Sequence, residues 1–234
     1  MSTQPFRIEL ADDHHIVGDA CEGNGPYYVF LHGLGSVRTG EKSESLRQHA
    51  QARGQGFLRF DLRGHGESSG ELGKVAVSEL IADTIQVLER IGPCNLVGSS
   101  LGGLVSAHVA AARPDLCHRL ALLAPAFGLM AKLGERLDDD GRLSTNEGIS
   151  FTIEPRVLKD AQELDERSLP VRIKVPTLLV HGTADDVIPQ IVSEMFYGAM
   201  PHEQKQLWLV PDGDHRLNTV CTRIWQLIDE LPTG

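Results

Sequence analysis

Runs of apolar residues recur along this chain and alternate with longer segments in which apolar positions repeat at helical spacing. The predicted central strands are Tyr27–Leu31, Phe57–Asp61, Asn95–Gly98, Leu120–Leu123 and Thr177–Val180. Helical periodicity predicts helices at Glu41–Gln51 and Val77–Ile91, and a third helix that starts at Ser100. Strands that are apolar on both faces and alternate with helices predict an α/β fold, with a mostly parallel central sheet and helices on both faces.

The two ends of the chain extend this sheet. The short runs Phe6–Leu10 and His15–Ala20 predict an antiparallel edge before the first central strand. A strand at Gln206–Val210 and a helix from about Thr219 to Leu231 are predicted to close the chain. No repeat or composition break marks a linker, so residues 1–234 are predicted to form a single domain.

The stretch Phe127–Pro170 separates two predicted strands by far more residues than an ordinary connection needs. We interpret it as a cap or lid, at about 127–170, that is inserted into the single domain. Six of its apolar residues are candidates for lining a substrate pocket, and Phe127, Met130 and Phe151 are the predicted binding residues. The other three candidates are Leu129, Leu133 and Ile153. An equally simple interpretation is that these side chains only pack the cap onto the sheet.

Composition narrows the class of protein. Hydrophobic residues make up 41% and charged residues 23% of the 234 positions, which fits a soluble globular domain. Lys and Arg number 22 against 32 for Asp and Glu, and the net charge of −10 argues against binding to nucleic acid or to anionic membrane surfaces. The longest uncharged stretch, Ile91–Ala112, contains a proline and four glycines and does not predict a membrane span.

Two features bear on the compartment. The amino-terminal segment lacks the basic and apolar regions of a secretory signal. The spacing of the four cysteines matches neither a zinc pattern nor a dense disulfide framework. The four are Cys21, Cys94, Cys117 and Cys221. Together these features predict a cytoplasmic protein with reduced thiols.

The sharpest chemical signal is the segment from Gly98 to Gly103, between a predicted strand and a predicted helix. Ser100 has a glycine two positions away on each side, whereas Ser99 does not. That pattern is typical of a tight strand-to-helix turn that exposes a nucleophilic serine. A helix that starts at this serine also points its amide N–H groups and positive dipole end at the reacting centre. Ser100 is therefore the predicted nucleophile, with Ser99 in a supporting position.

A serine hydroxyl is a weak nucleophile at neutral pH and needs a histidine base that is oriented by an acid. His215 lies in a turn before the last predicted helix, and Asp185 and Asp186 lie in a turn after the strand Thr177–Val180. The order serine, acid, histidine along the chain fits a triad assembled at strand ends. Neighbouring side chains at a strand end point in opposite directions, so only one aspartate faces the histidine, and these residues leave the choice open.

Backbone N–H groups near the serine are expected to stabilise the oxyanion of such a reaction. Leu101, directly after the serine, supplies one, and the glycine-rich turn His32–Gly35 after an early strand supplies the other, from Leu34. The histidines show no HExxH spacing, and neither GxGxxG nor GxxxxGK[ST] occurs, so no metal and no cofactor is predicted.

In these motifs and in their order, nearly the whole chain resembles the α/β-hydrolase superfamily. The segments that carry the resemblance are Tyr27–Gly33, His32–Gly35, Phe60–Ser68, the turn around Ser100, Val187–Pro189 and the His215 turn. The resemblance implies an α/β-hydrolase fold and a Ser-His-Asp triad that works through a covalent acyl-enzyme. In that family the acid lies four residues before the proline of its turn, which is Asp185 here. Ser100 excludes the epoxide hydrolases and haloalkane dehalogenases, which use an aspartate at this position.

Within the superfamily, the chain looks most like the small serine hydrolases of the abhydrolase group, related to acyl-protein thioesterases and acyl-glucuronide esterases. The matching segments are Gly35-Ser36, Gly40–Lys42, Val97–Gly103, Asp185–Pro189 and Asp214–Arg216. This resemblance implies hydrolysis of carboxylic esters or thioesters, with a small acyl ester or thioester or an acylated protein as substrate. Cinnamoyl and feruloyl esterases are a second candidate, because they share the type of segment found at Arg63–Gly66.

Other functions stay open at this stage. A triad of this kind also fits a carbon–carbon hydrolase, an acyltransferase or a cofactor-free perhydrolase. A ligand-binding protein that keeps the fold without catalysis is a further alternative, because a fold does not fix a function. Arg38 and Lys42, close after the oxyanion turn, either attract an anionic substrate or, more simply, belong to a charged surface loop.

Overall fold

A computed structural model describes residues 3–145 and 148–232 of the chain, and within them ten strands are found. Eight strands form the central sheet: β1 (Gln4–Glu9), β2 (His15–Cys21), β3 (Asn24–Leu31), β4 (Gln55–Phe60), β5 (Cys94–Ser99), β6 (Cys117–Leu123), β9 (Thr177–Gly182) and β10 (Lys205–Val210). Two short strands, β7 (Arg142–Ser144) and β8 (Ser150–Thr152), pair with each other as a separate antiparallel hairpin.

Seven α-helices are found in the described residues: α1 (Glu41–Ala52), α2 (Val77–Ile91), α3 (Leu101–Ala112), α4 (Pro155–Glu163), α5 (Leu169–Arg172), α6 (Ile191–Ala199) and α7 (Cys221–Glu230). The described residues also contain three short 3₁₀ segments, at Pro114–Leu116, Met130–Arg136 and Asn218–Val220. None of the helices in the described part of the chain is both long enough and apolar enough to cross a membrane.

The central sheet has the strand order β1-β2-β4-β3-β5-β6-β9-β10. Only β2 runs antiparallel to its neighbours, and every other pair in this sheet is parallel. The predicted mostly parallel sheet with an antiparallel edge is therefore confirmed. Because parallel strands share one direction, the carboxyl ends of β3, β5, β9 and β10 lie along one edge, where loops that follow them can meet.

The sheet is covered on both faces, as its alternation predicts. Along β3, Val29 and Leu31 belong to one buried cluster, whereas Tyr28 and Phe30 belong to the other, since side chains alternate between faces. The first cluster includes apolar residues of α2 and α3, and the second includes residues of α1 and α7. Helices on the two sides thus bury opposite faces of the same strands, which fixes the positions of the strand ends.

Helix α6 is absent from the sequence-based prediction. Its sequence is apolar on several sides, and Ile191 and Met195 are 51% and 69% exposed, so it shows no clean polar face. The periodicity that reveals an amphipathic helix is therefore missing there. The helix is held by its contacts with α5, β9 and β10.

In the described part of the predicted cap, residues 127–170, lie the 3₁₀ segment Met130–Arg136, the strands β7 and β8, helix α4 and the start of α5. Helix α4 packs on the 3₁₀ segment and on α2. At the other side of the cap, Thr145 and Ile149 lie beside Gly35 of the predicted oxyanion turn. The insertion thus lies over the edge of the sheet that carries the predicted triad.

Candidate active site

Ser100 stands at the turn between β5 and α3, with the strained backbone angles φ 55° and ψ −116°. The flanking glycines are required by close contacts. A Cβ atom at Gly98 would lie 2.2 Å from the Gly102 carbonyl oxygen, and one at Gly102 would lie 2.3 Å from the Leu31 carbonyl oxygen. The turn therefore has the geometry of a nucleophile elbow, in which the serine projects from the end of the sheet.

His215 connects Ser100 to a buried acid. Its Nε2 lies 3.1 Å from Ser100 Oγ, and its Nδ1 lies 2.7 Å from Asp185 Oδ2. The three side chains come from the ends of β5, β9 and β10 and form a continuous hydrogen-bonded chain. This order of contacts lets the histidine accept the serine proton while the carboxylate stabilises the charged ring.

Burial and hydrogen bonds distinguish the two neighbouring aspartates. The Asp185 side chain is fully buried, and its Oδ1 accepts hydrogen bonds from the Val187 and Ile188 amides at 2.9 and 2.8 Å. Asp186 is exposed. Burial acts to raise the pKa of Asp185, but hydrogen bonds from His181, His215 and the Ile188 amide outweigh it and hold this pKa below its usual range. Asp185 is therefore the carboxylate that is ionised and facing His215.

Asp214 and Lys42 hold the His215 turn. Asp214 Oδ1 accepts the Leu217 amide at 2.9 Å, and Lys42 Nζ donates to the Arg216 carbonyl at 2.5 Å. Burial lowers the pKa of Lys42. The sequence favours a charged surface loop at Lys42, whereas the structure places this residue at the wall of the site. No spacing rule reveals this contact, because the partners are 174 residues apart.

The predicted oxyanion turn lies against the elbow, since a Cβ at Gly33 would be 3.2 Å from Ser100 Cβ. His32 braces the turn. Burial and the neighbouring His65 lower the pKa of His32 to about 3, so the ring is neutral near pH 7. Its Nδ1–H donates to the Gly33 carbonyl at 2.8 Å, and its Nε2 accepts the Leu62 amide at 3.0 Å. Leu34 lines the cavity in front of the serine.

Arg38 fixes the other end of the same turn. Its amide donates to Asp61 Oδ1 at 2.7 Å, and its guanidinium pairs with Asp61, Asp19 and Glu67. The Arg38 side chain is 13% exposed and the Asp61 side chain is fully buried. Its charge is therefore matched by carboxylates of the protein, which leaves neither a free cation for an anionic substrate nor the charged surface loop that the sequence favours.

A cavity of about 310 Å³ opens in front of Ser100. Its apolar walls come from the oxyanion turn, the cap and the acid turn, and include Leu34, Leu129, Leu133, Leu143 and Val187. Lys42, Arg136 and Arg216 also line it. The cavity thus combines an apolar surface for an acyl group with polar and charged groups near the serine.

The three predicted binding residues of the cap do not line this cavity. Met130 and Phe151 line a second, smaller space of about 20 Å³, and Phe127 stacks on Phe196 of α6 with ring centroids 4.1 Å apart. The side chains of Phe127 and Met130 are buried and pack the cap onto the domain. Leu129 and Leu133, which the sequence also offers as lining candidates, do reach the larger cavity, as do Arg136, Leu143, Ser144 and Thr145 of the same segment.

Among residues 3–145 and 148–232, no group of three or more His, Cys, Asp or Glu side chains is placed to hold a metal ion. The four cysteines are free and buried, so they do not form disulfides in this structure.

A family model matches most of the chain. It is Hydrolase_4, described as serine aminopeptidase, S33, and it aligns with residues 27–145 and 142–219. The match includes the oxyanion turn, the elbow, the acid turn and the His215 turn. Palmitoyl-protein thioesterase ABHD10, mitochondrial, of Rattus norvegicus is 28% identical over 233 residues, covering 91% of this chain and 78% of the rat protein. The corresponding human protein is 26% identical over 233 residues, covering 91% of this chain and 76% of its own length.

Solved structures share the same architecture. Alpha/beta hydrolase domain-containing protein 10 from mouse superimposes with a TM-score of 0.84 at 26% identity, covering 98% of this chain and 99% of the mouse chain. Est1E from Butyrivibrio proteoclasticus, in a structure with ferulic acid bound, gives a TM-score of 0.83 at 20% identity and covers 95% of this chain and 98% of its own. The chain therefore has the α/β-hydrolase fold. Because Est1E is only 20% identical to this chain, its similarity shows the fold alone.

Proposed function

We propose that this chain, which belongs to the Hydrolase_4 family of serine aminopeptidase S33 type, hydrolyses carboxylic esters and thioesters with Ser100 as its nucleophile. The observation that carries this proposal is the hydrogen-bonded chain from Ser100 through His215 to Asp185, at the wall of an apolar cavity. Relatives named as thioesterases, 26 to 28% identical over 91% of the chain, support the same reaction class.

The geometry supports a two-step reaction. Ser100 Oγ attacks the acyl carbon while His215 Nε2 takes its proton, and Asp185 stabilises the resulting imidazolium. The proton then passes from His215 to the leaving alcohol or thiol, which departs and leaves an acyl group on Ser100. In the second step water attacks the acyl-enzyme with His215 again as base, and the free acid and the serine are released.

The oxyanion of both tetrahedral intermediates needs hydrogen-bond donors close to Ser100. We assign this role to the Leu34 and Leu101 amides. Leu101 is the first residue of α3, so its N–H lies at the positive end of the helix dipole. Leu34 follows Gly33, whose contact with Ser100 brings the turn to the serine. Preorganised amides of this kind stabilise developing charge because they need no reorientation during the reaction.

We propose an acyl chain as the group that occupies the cavity. Seven apolar side chains of the described residues line it, and the mammalian relatives are named palmitoyl-protein thioesterases. An S-acylated protein or a small acyl thioester would both present a thiol leaving group to His215.

The cytoplasm stays the predicted compartment, and fractionation of expressing cells with an antibody to this chain tests it.

The test is hydrolysis of p-nitrophenyl esters from acetate to palmitate, together with a palmitoyl thioester, by the wild type and by Ser100→Ala. We expect Ser100→Ala to lower kcat by about 10⁴-fold or more with the fold intact, since the nucleophile is removed. Ser106→Ala is the matched control, because Ser106 is a buried serine of the same helix whose Oγ has no hydrogen-bond partner among the described residues. Full activity of Ser100→Ala would refute the assignment, and a feruloyl ester as best substrate would move it to the second candidate class.

A further inference from the structure

His181 is a buried histidine that the triad mechanism above does not use. It lies near the end of β9, four residues before Asp185, and its side chain is completely buried. Its Nε2 donates to the Ile188 carbonyl at 2.9 Å and lies 3.1 Å from Asp185 Oδ2. The same Asp185 oxygen receives the hydrogen bond from His215 Nδ1 at 2.7 Å. Two imidazoles therefore meet at one carboxylate oxygen.

The surroundings of His181 define where its proton lies. Both neighbours of Nε2 are acceptors, a carbonyl and a carboxylate, so Nε2 carries the hydrogen. In a neutral ring Nδ1 is then an acceptor, and the Ser193 hydroxyl of α6, at 2.7 Å and fully buried, donates to it. Ser193 thus fixes the tautomer that presents N–H to the acid turn.

We propose that His181 is a positioning residue for the catalytic acid, and that Ser193 sets its tautomer. This inference rests on the proposed function, because it concerns how Asp185 serves His215. His181 contacts both ends of the acid turn: the carboxylate of Asp185 and the carbonyl of Ile188, whose amide also binds Asp185 Oδ1 at 2.8 Å. The turn is therefore closed around the carboxylate by one side chain.

If His181 only stabilised the fold, it would not need to contact Asp185. A buried imidazole needs hydrogen bonds, and the contacts with Ile188 and Ser193 already satisfy both ring nitrogens. The position of Nε2 beside Asp185 Oδ2 adds a donor to the atom that binds His215. Removing it leaves a buried carboxylate with one fewer donor, which favours rotation of the carboxylate or its protonation and weakens the orientation of His215.

The variants that test this inference are His181→Leu, His181→Gln and Ser193→Ala. His181→Leu removes all three ring contacts, and the amide of His181→Gln can place an N–H near the former Nε2. Ser193→Ala removes only the donor to Nδ1. His49→Gln is the matched control, because His49 Nε2 binds Asp229 Oδ2 at 2.9 Å in another histidine–aspartate pair, on α1 and α7.

Three readouts separate positioning from folding. They are kcat and KM on the best ester substrate, the rate at which a fluorophosphonate labels Ser100, and the tautomer of each histidine in ¹⁵N-histidine NMR spectra. We expect His181→Leu to lower kcat and the labelling rate together by about 10- to 100-fold, the value of a hydrogen bond to a charged group. KM is expected to stay within about twofold, because His181 does not line the cavity.

His181→Gln is expected to recover part of this loss, and His49→Gln to behave as the wild type. Unchanged kcat and labelling in a folded His181→Leu would overturn the inference, as would a spectrum with the His181 proton on Nδ1. If His181→Leu does not fold, Ser193→Ala and the wild-type spectrum decide the question: a fall in kcat and labelling in Ser193→Ala supports the inference, and wild-type values for both overturn it. Failure of fluorophosphonate to label wild-type Ser100 would instead refute the proposed function, while the tautomer still tests the contact of His181 with the acid turn.

Discussion

At Ser100 the backbone adopts a positive φ that side chains rarely tolerate, and the surroundings enforce it. The Ser100 amide donates to the Leu123 carbonyl at 2.9 Å, and its carbonyl accepts the Leu104 and Ala126 amides at 3.1 Å each. Such strain is kept where a precise orientation of one side chain matters. At this scale, hydrogen bonds to the backbone and to Asp185 determine which of the chain's serines, aspartates and histidines meet.

Asp185 and Asp186 are neighbours in the chain, so replacing each one separately tests which aspartate serves as the triad acid. We expect Asp185→Asn to lower kcat by about 10⁴-fold, because the amide stabilises the wrong tautomer of His215 and cannot balance its charge. Asp186→Asn is the control, because Asp186 is exposed next to it in the chain. Steady-state kinetics on one ester substrate provides the measurement.

Circular dichroism must show both variants folded. Equal losses in the two variants would mean that the acid turn as a whole, and not the buried carboxylate, supports catalysis. A loss confined to Asp186→Asn would exchange the assignment of the triad acid.

At the scale of elements, α3 must approach β3 and β5 closely for the elbow to form. The helix carries ten buried residues and is apolar on almost every side, so its position is fixed by packing rather than by an amphipathic face. Gly102 allows the contact with the carbonyls of Leu31 and His32 at the end of β3. The first turn of α3, which bears the Leu101 amide, is thereby held beside the oxyanion turn.

Two glycine-to-alanine variants separate this contact from helix propensity. Gly102→Ala is expected to lower the free energy of unfolding by about 1–3 kcal/mol, because the added Cβ would lie 2.3 Å from the Leu31 carbonyl oxygen. Gly198→Ala in α6 has no atom within 4 Å of the added Cβ and should raise it by about 0.5 kcal/mol. Denaturant unfolding measures both values.

The two variants are expected to change the free energy of unfolding in opposite directions. If Gly102→Ala also stabilises the protein, the close approach of α3 to β3 is not a packing constraint. Loss of esterase activity in Gly102→Ala beyond the unfolded fraction would show that the elbow itself has moved.

At the scale of the whole molecule, the cap and the sheet edge together enclose the site. Leu34 of the oxyanion turn and Leu133 of the cap line both the cavity of about 310 Å³ and the neighbouring space of about 20 Å³. These two side chains therefore separate the serine from the apolar interior of the cap, where Met130 and Phe151 lie. The contact between cap and domain sets the depth available to an acyl chain.

Truncation of Leu133, which separates the larger cavity from the smaller space, should change the preferred acyl length. We expect Leu133→Ala to raise the ratio of kcat/KM for the next longer ester over the wild-type optimum by about tenfold, since added apolar space favours added methylenes. A chain-length series of p-nitrophenyl esters measures this ratio.

Leu129→Ala is the control, because Leu129 lines the larger cavity without reaching the smaller one. Leu133 is buried and its truncation costs about 2–5 kcal/mol, so assays are made well below the unfolding temperature of each variant. The same shift in both variants would mean that the smaller space takes no part in acyl binding.

Much of this architecture could be predicted from local patterns. The strands Tyr27–Leu31 and Thr177–Val180 are confirmed within β3 and β9, and the helix predicted at Val77–Ile91 matches α2 at both ends. The Ser100 turn is recognisable because both flanking glycines are needed within the same short segment. The apolar cap residues that line the cavity could not be separated by sequence from those that pack inward, since both kinds have the same composition.

Local patterns along the chain define the alternation of strands and helices, the elbow at Ser100 and the two turns that bring an acid and a base. These features depend on side-chain periodicity and on glycines close in the chain, which are local properties. Packing between distant segments is needed to bury Asp185, to bring Lys42 to the His215 turn and to place His181 beside Asp185. Ser100 and His215 are 115 residues apart, and such contacts exist only where the parallel strands of the sheet end side by side.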